Sequence, residues 1–120
     1  MRLNVYLTKS LNILLGIIKT KRGMKVFVVI RLIDTKIVDF SYNVVGVYTS
    51  LKKAQERMKE CHNKLMADAK SIYDCKITDN VVDDTQCLLV YKIYDTPDGV
   101  EYKFMEERHL VVIEEREVED

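Results

Sequence analysis

Three runs of this chain, KVFVVI (25–30), CLLVYKI (87–93) and HLVVI (109–113), are apolar on both alternating sets of positions. Each has strand length and is rich in β-branched residues. A strand with two apolar faces must be covered from both sides. Residues 24–120 offer one cover. Leu51, Ala54, Met58, Cys61, Leu65, Ala69 and Ile72 recur at steps of three or four, the apolar stripe of a single amphipathic helix. One helix covers one face. The other face needs residues 1–23 or a partner, and an identical subunit is the default partner.

The remaining elements follow in order. After KVFVVIRLI (25–33) and a turn at DTK, a second extended run goes through IVDF to NVVGVY (43–48), with Gly46 as a bulge or close-approach point. Thr49 or Ser50 can cap the free N–H groups of the helix that follows. The reciprocal half of a capping box is missing, because Lys52 and Lys53 stand where Glu or Gln would. The helix is expected over 51–73, roughly 34 Å at 1.5 Å per residue. Its outer faces carry Lys52, Lys53, Gln55, Glu56, Lys59, Glu60 and Lys64, including a favourable Glu60–Lys64 pair.

DCKITDNVVDDT (74–85) is polar and acidic and reads as a loop or irregular strand. QCLLVYKIY (86–94) resumes strand character, DTPDG (95–99) marks a turn, and 100–115 returns as a long strand with an expected interruption near MEER. The expectation is an α+β domain over 24–120: a four-stranded, mostly antiparallel sheet in strand-strand-helix-strand-strand order, one long helix on one face, and an acidic C-terminal tail. A chain of this length fits one domain.

Residues 1–23 differ from the rest. Leu7, Leu11, Leu14, Leu15 and Ile18 have helical spacing, and Arg2, Lys9, Lys19, Lys21 and Arg22 give +5 with no acid. The run LNILLGII is too short to span a membrane, and KTKRG lacks the small residues of a signal-peptidase site. An amphipathic membrane-surface helix ranks below an extension upstream of Met24 or a core-covering helix. No membrane role is expected.

The charges are balanced, 19 basic against 19 acidic residues, so nothing in them favours nucleic acid. Cys61, Cys75 and Cys87 are odd in number and widely spaced, which fits a reducing cytoplasm without disulfides. With His62 and His109 they form no zinc pattern, and Cys61 reads as a core residue. Asp74, Asp79, Asn80, Asp83 and Asp84 lack the spacing and turn glycine of a calcium loop. His109 with Glu106 and Glu107 is the best acid–base set, Glu107 and His109 sharing a face, but no nucleophile or pocket accompanies it. Tyr91, Tyr94, Tyr102 and Phe104 could line a single-strand-binding surface, yet Asp95, Asp98, Glu101, Glu106 and Glu107 crowd the same hairpin, and packing explains them better. Phosphate-cradling glycine motifs are absent. No catalytic, cofactor-binding or metal residue is assigned.

MKVFVVIRLID…VVGVYTSLKKAQERM resembles a recurring type of small bacterial and bacteriophage protein, in which a strand of the MKVYVV kind and a partner ending GVF or GVY lead into a (T/S)S…A helix start. Met24–Val29, Gly46–Ser50 and Ala54 carry the match. The resemblance implies a small cytosolic protein of a phage or mobile element, and carries over no site. The function expected is a non-enzymatic, self-associating interaction module that binds a host or phage protein. The alternative is a homo-oligomer enclosing a small, nucleotide-like ligand.

Overall fold

The computed structural model describes residues 22–35, 41–72, 74–95 and 103–118. The expected N-terminal cover, the IVDF run and the DTPDG turn lie almost wholly outside these residues. The elements are β1 (Lys25–Thr35), β2 (Ser41–Tyr48), α1 (Leu51–Lys70), β3 (Cys75–Val82), β4 (Gln86–Asp95) and β5 (Lys103–Glu117). All strand pairings are antiparallel, and the sheet runs β2-β1-β5-β4-β3.

The α+β class agrees with the sequence, and among the described residues one long helix packs on one face of the sheet, as expected. The strand count does not: the sheet has five strands, in the order β1-β2-α1-β3-β4-β5. The extra one is β3, expected as a loop or irregular strand. Thr78 is an unpaired insertion, since Ile77 faces Tyr91 and Asp79 faces Val90. That bulge breaks the alternation of KITDNVV, and as an edge strand β3 is exposed along most of its length. The expected interruption of the last strand is also absent, because β5 pairs without a register break from Lys103 to Glu117.

β5 lies between β1 and β4. The three runs apolar on both faces thus occupy the three interior strands, while β2 and β3 form the edges. Both edges carry a bulge on the outer strand, at Thr78 in β3 and at Val45 in β2, where Val29 faces Gly46 and Ile30 faces Val44. Gly46 also sits close to Tyr48: a Cβ there would lie 2.7 Å from its hydroxyl. At the start of β1, Gly23 (φ 80) donates to the Val118 carbonyl at 2.8 Å, and Val118 donates to that of Met24. This fixes the entry to β1 against the end of β5.

Ser50 is the helix cap. Its extended backbone lets Oγ accept from the Lys53 N–H at 3.4 Å. The helix ends three residues before the expected limit, where the Ser71 hydroxyl bonds back to the Asp68 carbonyl at 2.6 Å. Asp74 then takes a left-handed conformation (φ 56) to turn into β3, which Asp tolerates better than most residues. The buried helix positions are Ala54, Met58, His62, Leu65 and Ala69. Of these, Ala54, Met58, Leu65 and Ala69 cluster with Val29, Cys87, Leu89, Tyr91 and Val111 of the sheet. Leu51, expected on the stripe, is 41% exposed. Cys61, expected in the core, is only partly buried and packs at its margin.

Candidate functional site: an apolar row and a buried polar corner

The helix face of the sheet holds a polar corner. Tyr91 on β4 lies opposite Glu107 on β5, and His109 is two residues along the same face. The Tyr91 hydroxyl donates to Glu107 Oε2. His109 Nε2 lies 3.1 Å from that oxygen and 3.2 Å from the Tyr91 hydroxyl. The two rings stack at 5.4 Å with an interplanar angle of 11°. The Glu107 oxygen is the shared acceptor, with the Tyr91 hydroxyl and the His109 Nε2–H both placed to donate to it.

Of the expected acid–base set, then, the structure joins Glu107 to His109 and leaves Glu106 on the opposite face. Tyr91 completes the group, and nothing in its spacing singled it out. His109 is only 5% exposed and its Nδ1 is buried without a hydrogen-bond partner among the described residues, as is Nε of Arg31. A side chain so enclosed, stacked on Tyr91 and bonded to Glu107, is placed to tie β4 to β5.

Burial, then the hydrogen bond to Glu107 and its charge, hold the Tyr91 phenol well above its ordinary pKa of 10.0. The sign of the resulting pH dependence is fixed. Below pH 10.0 both folded and unfolded chains keep the phenol proton, so the stabilisation is complete. Above it the unfolded chain loses the proton first, and stability falls as pH rises. Tyr91→Phe is therefore expected to flatten the alkaline limb of a urea-denaturation series from about pH 9.5 upward. Equal slopes in variant and wild type would show that this phenol is not held.

The other candidates stay apart. His62 is buried, and Nε2–H donates to Asn80 Oδ1 at 2.7 Å, tying helix to edge strand. The periodicity could have found it, since steps of four from Ala54 reach Met58 and then His62, which takes the buried position expected for Cys61. Burial pushes the thiols of Cys75 and Cys87 up, away from the thiolate form that reacts. Among the described residues no group of His, Cys, Asp or Glu is placed to hold a metal ion. Tyr91 and Tyr94 are on opposite faces, so they form no common platform. No described helix is long and apolar enough to cross a membrane.

The second sheet face is of a different kind. At the β1 entry end, Val26, Val28, Ile30 and Val47 form a buried cluster. Further along, the register places Tyr42, Leu32, Leu110, Leu88 and Val81 side by side. This is one apolar residue from each of the five strands. The first four are half-buried and Val81 is 39% exposed. At its centre Leu32, Leu88 and Leu110 line a depression of about 190 Å³, rimmed by Asp34 and Arg108. Those two charged residues face each other across β1 and β5 and are both exposed. Among the described residues, no helix covers this row.

Comparison with protein-family profiles, curated proteins and solved structures gave no match to this chain.

Proposed function

We propose that this protein is a non-enzymatic interaction module that binds a protein partner through the second face of its sheet. The observation that carries the reading is the apolar row across all five strands. The row is apolar from edge to edge and no described helix lies over it, and an apolar sheet face of that kind calls for a cover. An apolar centre with a charged rim is the usual anatomy of a protein interface. The bulges in β2 and β3 support the same surface from another direction. A bulged edge is poorly shaped to accept a further strand, which leaves the face as the route to association. A phage or mobile-element setting, with inhibition of a host factor or a minor structural role, rests on the sequence resemblance alone.

A photo-crosslinking residue placed at Leu88 in the full-length chain tests this. Leu88 is expected to give one discrete protein adduct, and the same probe at Lys64, on the outer face of α1, none. No adduct from Leu88, or equal adducts from both positions, would contradict the proposal.

A further inference from the structure

We infer that residues 1–21 dock on the second face at the β1 entry end, their apolar stripe seated over Val26, Val28, Ile30 and Val47. The observation that points there is burial without a described cover. Val26, Val28 and Ile30 are 0%, 1% and 3% exposed, and Val47 is 8%. The described residues packed against them are Leu32, Tyr42, Val44, Val112 and Val118, their neighbours in the sheet or at its end. Helix α1 lies on the other face. Side neighbours alone leave the outward end of a strand side chain open to water, so exposures this low require chain above the sheet.

Connectivity says which chain. Residues 36–40 join β1 to β2, and residues 96–102 join β4 to β5. Both connections start from the far end of the sheet, where Thr35 pairs with Glu107 and Asp95 with Lys103. Val28 lies about 23 Å back along the strand from Thr35, beyond a short loop that must go out and return. Tyr73 follows α1, and Glu119 and Asp120 are charged. Residues 1–21 start in the right place, because the turn at Arg22 and Gly23, held by Gly23 N–H on the Val118 carbonyl, delivers the chain to the β1 entry. Their length fits as well. Leu7, Leu11, Leu14 and Ile18 share one helical face over about 17 Å, and Val26 to Ile30 spans about 13 Å. So does their charge: Arg2, Lys9, Lys19 and Lys21 come with no acid, and β5 beside the β1 entry ends in Glu114, Glu115 and Glu117. The cover also has a limit. Ile30 is buried, whereas Leu32, the next residue on that face, is half-buried beside the depression. The partner surface proposed above begins where the cover ends, and the cover does not depend on it.

A benzophenone side chain placed at Leu14 of the full-length chain tests this. On irradiation it is expected to join the tryptic fragment 26–31 or β2, within a product of single-chain mass. The same probe at Lys9, on the opposite side of the stripe, is expected to join neither. Links from Leu14 that miss both segments or that join two chains, or equal links from Lys9, would overturn the inference. A double variant guards against a probe too large for the site. Leu11→Asp with Leu14→Asp is expected to lower the urea midpoint and raise the binding of an apolar dye, as Val26 and Val28 open to water. Lys9→Asp should leave both unchanged. A double variant as stable as wild type, with no added dye binding, would also overturn it. The two readings fail separately. A Leu14 link without a Leu88 adduct keeps the cover and removes the partner surface, and a Leu88 adduct without a Leu14 link does the reverse.

Discussion

Met58→Ala is expected to remove about 2–5 kcal/mol of folding stability, the range for truncating a buried methionine. Met58 is fully buried at the middle of the helix stripe and belongs to the cluster with Val29, Leu89 and Val111. These three sit on β1, β4 and β5, so the side chain is surrounded by all the interior strands. The sheet is a continuous ladder and cannot close over the hole, which places the loss toward the upper part of that range. Domains of this size hold about 5–15 kcal/mol in total, so the urea midpoint should fall by a large fraction. A loss below about 1 kcal/mol, the level of a tolerated core swap, would mean that α1 is not seated on this face.

Leu110→Asp is expected to have the opposite character. Leu110 lies in the interior strand β5 but points to the second face, where it is half-buried beside the depression. A carboxylate there stays in contact with water, so the variant should fold, with a change in stability of about 1 kcal/mol. Its effect falls on association, because the carboxylate would be desolvated against the partner's apolar side chains. The Leu88 photo-adduct should therefore vanish while the circular-dichroism spectrum stays that of wild type. Leu89→Asp, one residue from Leu88 but on the fully buried helix face, should instead prevent folding. If Leu110→Asp unfolds the chain as Leu89→Asp does, the second face is core and carries no binding surface.

The contrast between these two leucines shows what the sequence could and could not convey. Side chains apolar on both faces of three runs identified the interior strands, because coverage on two sides is a local requirement written into each run. The helix stripe was equally plain, for every fourth or third residue must meet the sheet. The insertion of β5 between β1 and β4 leaves no such local mark, since pairing order depends on which strands meet after collapse. β3 was hidden by its bulge at Thr78 and its exposure, both properties of an edge. The polar corner was half legible. Spacing of two put Glu107 and His109 on one face, whereas Tyr91 enters from another strand and depends on register. The apolar row was beyond reach for the same reason. Tyr42, Leu32, Leu110, Leu88 and Val81 come from five separate segments, and only the ladder aligns them.

The most direct test of the binding face is the Leu88 photo-crosslink in the full-length chain, with the same probe in the Leu110→Asp variant run alongside. The expected result is a discrete adduct heavier than the 14.0 kDa chain, lost in the variant. No product beyond the mass of one chain, or an adduct of equal yield in the variant, would contradict binding through the second face.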